Sequence, residues 1–115
     1  MAAAKDKSDL PRSAFLVLLA LSGSPGHGLG IVDRVEAATQ GRVKLGPGTL
    51  YGALQALAAD GLIKRTTDAP DPSDDDPRRR YYKLTPRGEK ALRGEAARLR
   101  VLVDAAVARN LLGDA

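Results

Sequence analysis

The stretch from Gly46 to Leu62, GPGTLYGALQALAADGL, decides the fold. Gly46 and Pro47 read as a helix start, with glycine as the cap and proline as the first helical residue. Leu50, Leu54 and Leu57 recur at spacings of four and three, so they share one face, and that face can bury. Thr49, Gly52, Gln55 and Ala59 lie on the other face, which is small or uncharged and able to rest against another surface. Asp60 and Gly61 stop the helix. Leu62–Thr67 reads as a first strand, and the basic run RRRYYKLT at 78–85 contains a returning strand. A helix followed by a strand and a basic hairpin is the order of a winged helix-turn-helix, and that order points to DNA.

Working outward toward the N-terminus, Val43 and Leu45 alternate with Arg42 and Lys44 in a short link. A helix near Leu29–Thr39 precedes it, with Ile31, Val32, Val35 and Ala38 as its inner face, and Gln40 and Gly41 stop it. SGSPGHG at 22–28 is a loop by composition. Before that loop a first helix runs to about Leu21, capped by Asp9 with Pro11 in its first turn. Its middle, AFLVLLAL, is apolar nearly all round, which means burial on more than one side. The surplus, including Phe15 and Leu18, is expected to face a second subunit. Residues 1–8 read as a flexible tail.

Working outward toward the C-terminus, DAPDPSDDDP at 68–77 holds three prolines and five aspartates and must be a loop. In the returning strand, alternation places Arg80, Tyr82 and Leu84 on one face and Arg79, Tyr81 and Lys83 on the other. Leu84 is expected inward, so Tyr82 packs and Tyr81 faces out unless a bulge intervenes. Thr85 caps a long last helix with Pro86 in its first turn. Leu92, Ala96, Leu99, Val103, Ala106 and Asn110 follow a four-three spacing, with Ala91, Leu102 and Ala105 beside them. This is a coiled-coil-like seam, read as a dimer arm; the alternative is a helix folded back on its own domain. The expected architecture is therefore mainly α with a small β-hairpin wing: a winged helix-turn-helix DNA-binding domain over 9–85, then a C-terminal dimerisation helix over 86–112.

Composition bounds the function. The chain has 115 residues, room for one domain, and no Cys or Trp. Without Cys there are no disulfides and no thiolate metal sites, which suits a reducing cytoplasm. No apolar run is long enough to span a bilayer, so no membrane is expected. One His, no nucleophile–base arrangement and no phosphate-binding glycine loop argue against an enzyme. No cofactor and no metal are expected. Net charge is +4, but residues 68–77 carry −5 and residues 78–100 carry +7. Such segregation is the electrostatic footprint of a nucleic-acid binder.

With HGLGI at 27–31, LGPGTLYGALQALAADGLI at 45–63 and RRRYYKLTPRGEKAL at 78–92 in view, the chain resembles the PadR family of bacterial transcriptional regulators, in its short subgroup. The resemblance implies a homodimer that binds an inverted-repeat operator in double-stranded DNA. It also implies that many members are repressors released by a small-molecule effector or another signal. Two departures stand out. Leu29 and Gly30 occupy positions where relatives usually carry Tyr and an acidic residue. The wing lacks the usual glycine, and Asp74, Asp75 and Asp76 lead into Pro77 and the arginines.

In helix-turn-helix geometry, the N-terminal residues of the second helix meet base edges. Gly48 and Gly52 leave room for close approach. Thr49 is a candidate for a base edge, a phosphate or simple capping. Tyr51 either offers a hydroxyl to a phosphate or packs against the wing, and Gln55 suits bidentate reading of adenine. No Arg or Lys lies within 47–59, so affinity is expected from phosphate contacts by Arg42, Lys44, Lys64, Arg65, Arg79, Arg80 and Lys83. The acidic loop is expected to repel non-specific phosphate contact or to pair with the adjacent arginines; the alternative, a divalent-cation site on its clustered oxygens, is disfavoured by the missing glycine and glutamate placement of an EF-hand. His27 is expected to make a structural hydrogen bond at the mouth of the second helix. The alternative function is a winged-helix protein-interaction module or adaptor that does not read DNA sequence.

Overall fold

The computed structural model describes residues 10–67 and 80–113. Four helices and three short strands follow one another as α1 (Arg12–Leu21), β1 (Gly26–His27), α2 (Gly28–Ala38), α3 (Pro47–Ala59), β2 (Ile63–Thr66), β3 (Tyr81–Leu84) and α4 (Pro86–Ala108). Asp9, the expected cap of α1, lies outside the described residues. Pro11 takes the cap position instead of a place inside the first turn, and its carbonyl accepts from the Phe15 amide at 3.0 Å.

α1 is the central helix. It packs against α2, α3, α4 and β3. That explains an apolar surface running nearly all round it, and it corrects one expectation. Leu18 is 0 % exposed within the single chain, so it has no surface left for a second subunit. Phe15 is half-buried against the same core. Ile31, Val32 and Val35 of α2 join that core as expected, but Ala38, in the last position of α2, is exposed.

α3 forms where the sequence places it. Gly46 is its cap, Pro47 its first residue, and Leu50, Ala53, Leu54 and Leu57 its buried stripe. It closes with Gly61 at φ +76°, a left-handed turn that glycine adopts without the steric penalty of a side chain. The Leu62 amide then donates to the Leu57 carbonyl at 2.9 Å, which ends the helix and starts β2.

The sheet is antiparallel in the order β1-β3-β2. β1 is the element that composition hid: Gly26 and His27, read as loop, pair with Tyr82 and Tyr81. This third strand also overturns the expected facing of the tyrosines. Tyr81 is buried, with the His27 ring meeting it edge-on at 5.2 Å, while Tyr82 and Leu84 are half-buried against the helical core. Tyr81 is buried on one face of β3 while Tyr82 and Leu84 pack on the other, so simple alternation between core and solvent fails at Tyr81.

α4 begins as expected, with Thr85 Oγ1 accepting from the Gly88 amide at 3.0 Å. Its first turns pack on the rest of the chain. Leu92 is buried in the common core, and Glu95, 2 % exposed, is met by a fork from Arg98 at 3.0 and 2.5 Å. Leu92 is therefore a core residue, not part of a dimer seam. Beyond it the helix changes character: Val101, Leu102, Val103 and Val107 are exposed, Leu99, Ala105 and Ala106 half-buried, and Ala96 exposed. The helix ends at Ala108, with Asn110 in a left-handed turn beyond it. No helix among the described residues is long and apolar enough to cross a membrane.

Candidate nucleic-acid interface

The outward face of α3 is Thr49, Tyr51, Gly52, Gln55 and Ala59, all exposed. Burial of Leu50, Leu54 and Leu57 on the opposite side fixes which way these residues point. Around Gly48 and Gly52 there is open space: a Cβ built on either meets no other atom within 4 Å. The face is thus bare backbone flanked by two hydroxyls and one amide. Tyr51 is 60 % exposed, yet its phenol reaches back over α2, with its hydroxyl 3.1 Å from the point where a Gly28 Cβ would stand.

Cations border this face in sequence. Arg42 and Lys44 are exposed in the link before α3, and Lys64 and Arg65 are exposed on β2 just after it. Lys64 is the register partner of Lys83 on β3. Like charges placed directly across a ladder disfavour one another. A shallow open groove lined by Lys64, Arg65, Thr66, Thr67 and Lys83 runs over these strands. Lys83 is half-buried there, and Arg80 is exposed at the entrance to β3. The structure therefore gathers Lys64, Arg65 and Lys83. Arg79 and the acidic run 68–77 lie outside the described residues. Among the described residues no group of three or more His, Cys, Asp or Glu is placed to hold a metal ion.

Two supporting residues escaped the sequence reading. Arg34 of α2 donates to three carbonyls, those of Ala20 (3.0 Å), Ser24 (3.0 Å) and Pro25 (2.8 Å). It ties the end of α1 and the following loop to α2, and so sets where β1 begins. No local pattern marks it, because all three partners come from the preceding loop and helix end. Gly28 is the second; the sequence marks it only as part of HGLGI, with no role assigned. His27 itself behaves as expected: its Nδ1 accepts from the Gly30 amide at 3.5 Å and caps α2.

Two helices joined by a short link, the second with an exposed polar face, followed by an antiparallel wing, define a winged helix-turn-helix. Residues 17–94 match the profile of the transcriptional regulator PadR-like family, and the chain belongs to that family. The chain is 41 % identical over 81 residues to an uncharacterized 37.1 kDa protein in transposon TN4556 of Streptomyces fradiae. That match takes in 70 % of this chain but only 21 % of the relative, so the chain spans about a fifth of the relative's length. Among solved structures, a PadR family transcription regulator from Clostridium difficile superposes with a TM-score of 0.69 at 23 % identity, covering 90 % of this chain and 100 % of the other. Bacillus subtilis PadR in complex with operator DNA superposes with a TM-score of 0.56 at 19 % identity, covering 70 % of this chain and 44 % of that one. At these identities the likeness speaks for the fold: four helices, the last of them long, and a three-stranded antiparallel sheet.

Proposed function

We propose that this chain is a DNA-binding transcriptional regulator that acts as a homodimer and represses from an inverted-repeat operator. The observation that carries the reading is the exposed, uncharged face of α3, bordered in sequence by Arg42, Lys44, Lys64 and Arg65. The operator complex of the Bacillus subtilis relative supports DNA as the partner. In this reading α3 enters the major groove. Gln55 meets an adenine edge, Thr49 a base edge or phosphate, and Tyr51 a phosphate oxygen. The backbone at Gly48 and Gly52 comes close to the duplex. Arg42, Lys44, Lys64, Arg65, Arg79, Arg80 and Lys83 neutralise phosphates and supply most of the affinity. With so few base contacts, specificity rests largely on half-site spacing and DNA deformability. Repression follows from a dimer occupying promoter DNA.

The test is fluorescence anisotropy against the DNA upstream of the protein's own coding sequence and against scrambled duplex, at low and near-physiological salt. Preference for the upstream duplex that survives the higher salt is the expected result. Equal, weak binding that salt abolishes removes sequence-specific regulation at that site and favours a protein-interaction module.

Gly52→Ala separates contact from stability. A Cβ there meets nothing in the free protein, and alanine is the better helix former by about 1 kcal/mol. The variant is expected to melt higher yet to bind the duplex roughly threefold to tenfold more weakly, because the methyl group stands where DNA must approach. Unchanged affinity in the more stable variant shows that α3 does not approach the duplex at Gly52.

A further inference from the structure

Tyr51 projects from α3, but its phenol does not extend into solvent away from the protein. It lies over the first residue of α2. A Cβ on Gly28 would stand 3.1 Å from the Tyr51 hydroxyl oxygen, 3.7 Å from its Cζ and 3.6 Å from Leu50 Cδ2. The first of these is tighter than ordinary van der Waals contact. Gly28 occupies the first position of α2, and its φ lies outside the left-handed region. Any residue can adopt that backbone, and glycine is a poor helix former. Conformation therefore does not account for glycine here; the room it leaves for the Tyr51 ring does.

We infer that Gly28 is a positioning residue for Tyr51: its bare backbone is the seat that holds the phenol hydroxyl at the junction of α2 and α3, aimed at a phosphate oxygen of bound duplex. This rests on the DNA-binding reading above. An exposed tyrosine samples several rotamers, and fixing one of them at an interface costs conformational entropy. A ring already resting on α2 meets that cost before DNA arrives. Gly28 touches no DNA in this scheme and acts only through where Tyr51 points.

The experiment is a double-mutant cycle on a duplex that the wild-type protein selects from a random-sequence library, with a thermal melt for each variant. Tyr51→Phe is expected to weaken binding about tenfold, the scale of one hydrogen bond to a charged acceptor. Gly28→Ala, which asks the ring to give by a few tenths of an ångström, is expected to weaken it roughly threefold without lowering the melting temperature. Gly28→Val fills the seat and is expected to weaken binding about tenfold; Gly28→Ala decides the matter if the valine variant folds poorly. Combined with Tyr51→Phe, neither change at Gly28 is expected to weaken binding further, because the hydroxyl it positions is already gone. A glycine needed only for structure weakens binding equally in both backgrounds, so losses that multiply overturn the inference, as does wild-type affinity in Gly28→Ala and Gly28→Val. A wild-type protein that selects no duplex overturns the DNA-binding reading and this inference with it. A wild-type protein that selects one, with multiplying losses, overturns this inference alone.

Discussion

Gly88→Ala is expected to remove about 3 kcal/mol or more of folding stability, while Gly94→Ala, further along the same helix, adds up to about 1 kcal/mol. In a chain of this size the first change lowers the melting temperature by on the order of 15 °C. The difference lies in what a methyl group meets. At Gly94 there is nothing within 4 Å. At Gly88 the new Cβ falls 1.9 Å from the Leu62 carbonyl oxygen and 2.8 Å from its carbon, both of them main-chain atoms that no rotamer change can move aside. The approach is this close because the start of α4 is fastened to the turn between α3 and β2. The Thr85 amide donates to the Leu62 carbonyl at 3.1 Å, and Thr85 Oγ1 donates to the Gly61 carbonyl at 2.7 Å while accepting from the Gly88 amide. An alanine at 88 must break these bonds or tilt α4. Thermal melts of the two variants beside the wild type check the contrast; a Gly88→Ala protein that melts with the wild type rules out the close approach. The joint also bears on function. It fixes the angle between α3 and α4, and in the proposed homodimer that angle sets the separation of the two recognition helices on DNA.

That joint shows where sequence reading stops. Thr85 and Pro86 announced a helix start, and the local rules were enough for that. What Gly88 faces is a carbonyl from a turn well upstream in the chain, and no local pattern encodes it. The same division runs through the molecule. α3 was legible in full, since its cap, first proline, leucine stripe and terminal glycine are all local signals. β1 was not, because two residues in a glycine- and serine-rich loop become a strand only by pairing with Tyr81 and Tyr82. Without β1 the alternation of β3 points Tyr81 to solvent; with it Tyr81 is buried. The apolar run of α1 predicts burial on several sides, but its surplus surface is used by α4 and β3 of the same chain, which withdraws Leu18 from any interface. The leucine spacing of α3 also predicts that Thr49, Gly52, Gln55 and Ala59 face outward, and they are exposed. Which supports hold them in place was not readable, since Gly28 and Arg34 act through residues brought near by the fold.

In the proposed homodimer, Val103→Asp is expected to leave a folded protomer, abolish dimerisation at micromolar concentration and weaken operator binding by about 10² to 10⁴-fold. Val103 is 51 % exposed in the single chain, next to exposed Leu102 and Val107 and half-buried Leu99 and Ala106. Exposed apolar residues clustered on one stretch of helix mark a contact surface, while scattered single ones need no explanation. An aspartate at this position stays solvated in the free protomer, so folding is little affected. In a helix seam the same carboxylate loses water without gaining a partner, which costs several kcal/mol. Leu92→Asp is the contrasting variant. Leu92 lies in the protomer's own core, so its replacement is expected to unfold the chain instead of splitting a dimer. Sedimentation velocity with far-ultraviolet circular dichroism distinguishes the two outcomes. The affinity loss follows from linkage: once one unit of a dimer has bound, the second binds at a high effective concentration, and a monomer forfeits that gain. A monomer also touches about half the phosphates, so the slope of log affinity against log salt should fall by about half. Val103→Asp that remains dimeric moves the interface off this end of α4. Val103→Asp that is monomeric but keeps full operator affinity and slope means that one winged unit reads the whole site, and that the apolar end of α4 meets some other partner.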